Sequence, residues 1–135
     1  MALDDKRNGS LPHGAARRAL VADEDPTMLR LLCRALVDDF EVTTAENGRR
    51  AVEIARATDP DIVLLDLGMP VLDGFGACRE IRAAFPDVPI VIVSGQTDEG
   101  SVRSAFAAGA TDYVVKPFTP SQLRARLQAC LLRGE

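Results

Sequence analysis

Residues 61–70 read Asp-Ile-Val-Leu-Leu-Asp-Leu-Gly-Met-Pro, and this stretch decides the fold. The four consecutive aliphatic residues at 62–65 are typical of a parallel strand that is buried on both faces of a sheet. A Gly and a Pro within four residues of Asp66 predict that the strand ends there. Because a carboxylate beside a buried strand needs partners or a metal, Asp66 is a candidate functional residue at the rim of the sheet.

Apolar runs and helix signals alternate along the rest of the chain. We predict strands over 18–22, 41–45, 62–65, 90–93 and 112–115, and helices over 26–39, 47–57, 73–85, 98–108 and 119–132. Asp25 and Asn47 are candidate N-caps, Pro26 lies just inside a helix start, and Gly109 has the position of a residue that ends a helix.

The order of the strands follows from which of them have the character of edge strands. Two strands have this character: strand 41–45 carries polar residues at alternate positions, and strand 112–115 is short. The order 2-1-3-4-5 places both at the rims of a five-stranded parallel sheet with helices on both faces. We therefore predict an α/β, flavodoxin-like doubly wound (βα)5 domain over residues 18–135. Residues 1–17 have no hydrophobic periodicity, and we expect a flexible N-terminal arm there.

Composition and charge argue against several function classes. The net charge is −4, and four bases against two acids in the first 18 residues leave −6 on the remainder, which disfavours direct nucleic-acid binding. No apolar run approaches the length of a membrane span, and no secretory signal is visible, so we expect no membrane partner. The three cysteines are scattered, which indicates free thiols in a reducing cytosol, and we expect a cytoplasmic location.

Polar side chains follow four of the five predicted strands. They are Asp23 and Glu24 after the first strand, Asp66 after the third, Ser94 after the fourth and Lys116 after the fifth. Because ligands of open α/β sheets bind outside the carboxyl ends of the strands, we expect these side chains to share one crevice. Lys116 is one of only two lysines, and the other lies in the arm, which suggests a role that a planar guanidinium does not fill.

These side chains predict a magnesium-assisted phosphoryl site. Mg²⁺ favours carboxylates, phosphate oxygens and water, and Asp66 with one or both of Asp23 and Glu24 would supply the carboxylates. A bound cation keeps clustered carboxylates ionised, so that one of them can attack phosphorus as a nucleophile. Lys116 and the Ser94 hydroxyl would then meet the phosphoryl oxygens. The single histidine lies in the arm, and no glycine-rich nucleotide-binding motif is present.

Four motifs in this order resemble the receiver domain of two-component response regulators, with the fold of the single-domain chemotaxis regulators. They are residues 21–26 with the acidic pair, 61–70 with the phosphoacceptor strand, 93–95 with a switch hydroxyl and 113–118 with the lysine. The resemblance covers about residues 18–133. It implies that Asp66 accepts a phosphoryl group from a sensor histidine kinase or a phosphotransfer protein.

The resemblance also implies the metal ligands. They are Glu24 and Asp66, the backbone carbonyl of Gly68, and Asp23 acting mainly through water around Mg²⁺. The chain departs mildly from the family pattern at two positions: Glu24 replaces the commoner aspartate, and Gly68 offers no side chain beside the phosphoryl group. We expect Gly68 and Gln96 to tune the lifetime of that group, because both should flank the path of attacking water.

The remaining implied roles concern catalysis and signalling. Asp66, Ser94 and Lys116 form the catalytic set, Ser94 and Tyr113 form the switch, and the bond from Lys116 to Pro117 is expected to be cis. The fourth helix, fifth strand and fifth helix would present the output face to a downstream protein or a linked output domain. The resemblance also allows a homodimer through that face.

Two alternatives belong to other functional classes. A small Mg²⁺-dependent phosphohydrolase also uses a nucleophilic aspartate, but such enzymes usually carry a second acid two residues later, where this chain has Gly68, and a cap domain for which there is no room. A degenerate receiver would act as a constitutive binding module, and the complete set of acids, hydroxyl and lysine argues against it. We therefore expect no dedicated metabolic enzyme, only phosphorylation and dephosphorylation of Asp66 itself.

Overall fold

The computed structural model describes residues 17–133, which form five strands and five helices in alternation. The strands are β1 (Arg17–Ala22), β2 (Phe40–Ala45), β3 (Ile62–Leu65), β4 (Ile90–Ser94) and β5 (Asp112–Val115). The helices are α1 (Pro26–Leu36), α2 (Gly48–Thr58), α3 (Gly74–Ala84), α4 (Glu99–Ala107) and α5 (Pro120–Arg133). β1 begins one residue earlier than predicted, and the rest of the predicted arm, residues 1–16, lies outside the described residues together with residues 134–135.

The five strands pair in parallel in the order β2-β1-β3-β4-β5, which confirms the predicted topology. β3 lies at the centre, where Leu65 is opposite Ala22 of β1 and Ile92 of β4. All four residues of β3 are buried, whereas four of the six residues of β2 are exposed or half-buried. The uninterrupted aliphatic run is therefore the middle of a sheet that is covered on both faces.

Successive residues of β3 enter separate cores on the two faces of the sheet. Ile62 and Leu64 pack in the core that includes side chains of α1 and α5. Val63 and Leu65 pack in the core that includes side chains of α2, α3 and α4. Each fully buried aliphatic side chain contributes roughly 2 kcal/mol of transfer free energy. The two cores thus hold β3 firmly, and the next residue, Asp66, emerges at the carboxyl edge of the sheet.

The first helix ends three residues earlier than predicted, at Leu36 instead of Asp39. The Val37 N–H donates to the Cys33 carbonyl at 2.9 Å, and the Asp39 N–H donates to the Leu36 carbonyl at 3.0 Å, which closes a turn into β2. Asp38 and Asp39 would place negative charges at the carbonyl end of the helix, where the macrodipole is already negative. Helix continuation through these two acids is therefore unfavourable.

Polar side chains cap the helices at the carboxyl edge of the sheet. An oxygen of the N-cap side chain accepts a hydrogen bond from a first-turn N–H in α1, α2, α3 and α4, and these caps are Asp25, Asn47, Asp73 and Asp98. α5 has a reciprocal cap, in which the Thr119 N–H donates to Gln122 Oε1 at 2.9 Å and the Gln122 N–H donates to Thr119 Oγ1 at 3.1 Å. Gly109, at φ +115°, follows the end of α4 as predicted.

The three cysteines are free thiols, as the sequence indicates. Cys78 and Cys130 are buried in the two cores, and Cys33 on α1 is half-buried. Desolvation by burial raises the pKa of Cys78 to about 11, so this thiol is an unreactive part of the core. Within residues 17–133, no helix is both long enough and apolar enough to cross a membrane.

Candidate functional site

Four side chains lie at the carboxyl edge of the sheet, each at or just after the end of a different strand. They are Asp23 after β1, Asp66 after β3, Ser94 at the end of β4 and Lys116 after β5. These four strands are consecutive neighbours, so the structure brings the four side chains to one crevice. The Asp66 N–H donates to the Ala22 carbonyl at 3.0 Å, and the Lys116 N–H donates to the Ser94 carbonyl at 2.9 Å, which extends the pairing to the rim.

The Lys116 ammonium joins two carboxylates that follow different strands. Nζ donates to Asp23 Oδ2 at 2.9 Å and to Asp66 Oδ1 at 3.2 Å. The side chains of Asp23, Asp66 and Lys116 are 2%, 15% and 21% exposed, so water screens the charges less than it would at the surface. Asp23 Oδ1 also accepts from the Asp25 N–H at 2.9 Å, and Asp66 Oδ2 accepts from the Gly68 N–H at 3.1 Å. Both carboxylates are therefore held in fixed orientations.

The pKa of Lys116 is set by opposing effects. Desolvation through partial burial acts to lower this pKa, but the hydrogen bond to Asp23 and the negative charges of Asp66 and Asp23 together outweigh it. The net result is a pKa above the ordinary lysine value. Lys116 is therefore positively charged beside Asp66 at neutral pH.

Ser94 is buried at the end of β4. Its Oγ accepts a hydrogen bond from the Gln96 N–H at 3.1 Å. A hydroxyl has one donor site and two acceptor sites, so this bond uses an acceptor site and leaves the O–H available to an oxygen in the crevice.

Tyr113 points into the structure, where its buried side chain donates from the hydroxyl to the Gln96 carbonyl at 2.7 Å. Gln96 therefore contacts both predicted switch residues through its backbone. Its side-chain Oε1 also accepts from the Ser101 hydroxyl, in the first turn of α4, at 2.8 Å. The sequence does not predict this role of Ser101, because a contact across an exposed loop depends on side-chain rotamers that no sequence pattern encodes.

Close backbone contacts position the loop that carries Asp66. A Cβ on Gly74, at the start of α3, would overlap the Asp66 carbonyl oxygen and lie 2.7 Å from Leu67 Cα. A Cβ on Gly48, at the start of α2, would overlap the Leu72 carbonyl oxygen in the same way. Only glycine lets both helices begin so close to the loop, and the Gly74 contact restricts the backbone at Asp66.

The residues present fit a divalent cation with oxygen ligands. Mg²⁺ in proteins is commonly held by one or two carboxylates with phosphate oxygens and water, and Asp23 and Asp66 already converge on a single ammonium. Glu24 and Gly68 are exposed beside them. Across residues 17–133, no group of three acidic, histidine or cysteine side chains is arranged as a metal site. Asp23 and Asp66 therefore meet at the Lys116 ammonium, and the metal-ligand roles of Glu24 and Gly68 stay predictions.

The Lys116–Pro117 peptide bond, which leads from β5 into the last loop, is cis, as expected. It belongs to the segment 113–118 that carries the lysine motif. Tyr113, Lys116 and the cis bond are therefore parts of a single short stretch at the edge of the sheet.

Comparison with known sequences identifies the family of this chain. The chain matches the family model of the response regulator receiver domain over residues 19–128. The transcriptional regulatory protein PrrA of Mycobacterium leprae is 42% identical over 117 residues, which cover 86% of this chain and 50% of that protein. The chain thus spans about half the length of the curated relatives that it matches.

Two solved structures share the fold over nearly their full length. The chemotaxis protein CheY4 of Vibrio cholerae superimposes with a TM-score of 0.81 and 30% identity, over 85% of this chain and 98% of that one. A second match is the receiver domain of the sensor histidine kinase PA1611 of Pseudomonas aeruginosa, whose structure has a magnesium ion coordinated in the active site cleft. It superimposes with a TM-score of 0.80 and 31% identity, over 86% of this chain and 98% of that one. On the evidence of its fold, its four strand-end residues and these matches, the chain belongs to the response regulator receiver domain family.

Proposed function

We propose that this chain accepts a phosphoryl group on Asp66 from the phosphohistidine of a sensor histidine kinase or of a phosphotransfer protein. The observation that carries the proposal is the Lys116 ammonium, which is hydrogen bonded to Asp66 and Asp23 at once. A protonated lysine beside the nucleophile would neutralise the negative charge that phosphorylation adds.

The transfer requires one bond to form and one to break. A carboxylate oxygen of Asp66 would attack phosphorus while the P–N bond to the donor imidazole breaks and its electron pair stays on the nitrogen. The donor histidine leaves in its neutral form when its other ring nitrogen carries a proton. Phosphoryl transfer depends mainly on positioning and on charge stabilisation, which the Lys116 ammonium and the Ser94 O–H would supply to the phosphoryl oxygens.

Mg²⁺ belongs to the proposed function as the cofactor. Asp23 and Asp66 would hold it, with the Gly68 carbonyl as a further ligand and Glu24 turning toward it from the solvent side. When bound, Mg²⁺ offsets the negative charge of the carboxylates and of the phosphoryl oxygens. A receiver domain structure with magnesium in its cleft supports this assignment by similarity.

Signalling would run from Ser94 through Gln96 and Tyr113 to the face formed by α4, β5 and α5. Three large apolar side chains are exposed on these elements: Phe106 on α4, Val115 on β5 and Leu132 on α5. A downstream protein, a linked output domain or a second copy of the chain would bind there. Phosphorylation would favour a conformation that the unphosphorylated chain already samples.

A beryllofluoride titration tests the proposed function, because beryllofluoride mimics the phosphoryl group of an aspartyl phosphate. Tyr113 is the only tyrosine and the chain has no tryptophan, so its fluorescence reports on the switch without an added label. We expect a saturable fluorescence change that requires both beryllofluoride and Mg²⁺ and that is lost in Asp66→Asn. Asp87→Asn, at an exposed position between α3 and β4, should respond like the wild type. A wild type without a Mg²⁺-dependent change, or an Asp66→Asn variant that keeps it, would contradict the proposal.

A further inference from the structure

We propose that Ser101 is a positioning residue, which holds Gln96 and thereby stabilises the inward arrangement of Ser94 and Tyr113. The switch roles of Ser94 and Tyr113 rest on the proposed function, whereas the contact between Ser101 and Gln96 is a feature of the fold. Ser101 would set how readily the site responds to a phosphoryl group without touching that group.

Gln96 links three elements through three different groups. Its N–H donates to Ser94 Oγ at 3.1 Å at the end of β4, and its carbonyl accepts from the Tyr113 hydroxyl at 2.7 Å on β5. Its side-chain Oε1 accepts from the Ser101 hydroxyl at 2.8 Å on α4. A displacement of Gln96 therefore changes both switch contacts together, and Ser101 is the residue that ties Gln96 to the helix.

Ser101 is itself fixed within the first turn of α4. Its N–H donates to Oδ2 of the N-cap residue Asp98 at 2.8 Å, so its hydroxyl projects from an ordered position. Residues 95–98, between β4 and α4, are exposed throughout. Exposed loop segments with few packing contacts open at low free-energy cost, so a side-chain tether has a measurable effect there.

The opposite end of α4 is held by stronger contacts. Arg82 on α3 donates to the Gly109 carbonyl at 3.0 and 2.8 Å, just after α4, and to Thr111 Oγ1 at 3.2 Å. Hydrogen bonds from a charged guanidinium are stronger than a bond between a neutral hydroxyl and an amide. The end of α4 beside Ser94 therefore opens at a lower free-energy cost than the opposite end, and the Ser101 hydroxyl stabilises it.

The test compares Ser101→Ala with Ser101→Thr, which keeps the hydroxyl, and with Ser104→Ala, which alters an exposed serine on the same helix. In the unliganded Ser101→Ala protein, we expect stronger acrylamide quenching of Tyr113. We also expect the beryllofluoride concentration for half-maximal response in saturating Mg²⁺ to rise about three- to fivefold, the effect of one lost hydrogen bond. Ser101→Thr and Ser104→Ala should match the wild type in both measurements.

Gln96→Ala supplies a second, independent check. This variant removes the acceptor, so adding Ser101→Ala to it should produce no further change in either measurement. Wild-type quenching and titration in Ser101→Ala, or an equal effect in Ser104→Ala, would overturn the role of Ser101. A wild type that fails to respond to beryllofluoride would contradict the proposed function instead, and the quenching comparison would still decide on the tether.

Discussion

Lys116 Nζ lies 2.9 Å from Asp23 Oδ2, although β3 and β4 separate the strands that the two residues follow. The lysine side chain crosses the crevice to reach a carboxylate that is almost completely buried. A buried charge without a partner is costly, so this ion pair connects the chemistry of the site to the stability of the fold.

Replacing Lys116 by Met should show how much the ion pair contributes to the free energy of unfolding and whether Mg²⁺ can take its place. The variant keeps an apolar side chain of similar length but leaves the Asp23 and Asp66 carboxylates facing each other without a cation. In metal-free buffer at neutral pH, we expect the free energy of unfolding to fall by about 2 kcal/mol. Added Mg²⁺ should restore more stability to the variant than it adds to the wild type, because it binds the folded state and supplies the missing positive charge.

Urea unfolding followed by far-ultraviolet circular dichroism, with EDTA and with MgCl2, measures both effects. The matched control is Arg103→Met on the exposed face of α4, which also replaces a cation by methionine but does so away from the carboxylate pair. It should change the free energy of unfolding by less than about 0.5 kcal/mol. Equal stability of Lys116→Met and the wild type in EDTA would show that the ion pair adds nothing.

The raised pKa of Lys116 defines the pH range in which this residue contributes to the free energy of unfolding. Because the pKa is higher in the folded state, the stabilisation is complete below the ordinary lysine pKa of about 10.4 and is lost as the pH rises through the folded-state value. The difference in unfolding free energy between wild type and Lys116→Met should be constant from about pH 7 to about pH 9 and shrink in more alkaline buffer. A difference that already vanishes in the neutral range would be inconsistent with this linkage.

Much of this architecture could be predicted from local patterns. The residues 62–65 indicated the central strand because a parallel strand covered on both faces has no polar positions, and the polar residues of β2 indicated an edge. Once the strand order was known, the crevice at Asp23, Asp66, Ser94 and Lys116 followed from the geometry of parallel sheets.

Other features depend on three-dimensional details that local patterns do not contain. The bond between Gln96 in the loop and Ser101 in the first turn of α4 is set by side-chain rotamers. The end of α1 at Leu36 results from competition between helix periodicity, which continues, and the two acids that follow.

Gly74→Ala should damage the site through the backbone alone. The added methyl would overlap the Asp66 carbonyl oxygen, so the loop or α3 must move, and we expect a loss of about 3 kcal/mol in unfolding free energy together with reduced phosphorylation of Asp66. Gly95→Ala, at a position where a Cβ meets nothing within 4 Å, is the matched control and should be close to wild type. Equal stability of the two variants would refute the close approach.

Gly68→Asn should alter the lifetime of the phosphoryl group without disturbing the fold. A Cβ at this exposed position would lie 3.8 Å from Asp66 Oδ2, an ordinary contact distance, so the side chain can be accommodated beside the carboxylate. The amide would occupy part of the path of attacking water, and we expect dephosphorylation to slow about threefold, or roughly 0.7 kcal/mol in activation free energy. Gly68→Ala should lie between this variant and the wild type, and an unchanged rate in Gly68→Asn would remove Gly68 from the set of residues that tune the lifetime.

The most direct test of the central claim is to locate the phosphoryl group chemically. The protein is incubated with acetyl phosphate and MgCl2, the acyl phosphate is reduced with borohydride to homoserine, and the modified position is identified by peptide mass spectrometry. We predict homoserine at residue 66 alone, dependent on Mg²⁺ and absent from Asp66→Asn. Modification at Asp23 or another acid, or no modification in the wild type with Mg²⁺ present, would contradict the assignment of Asp66 as the phosphoacceptor.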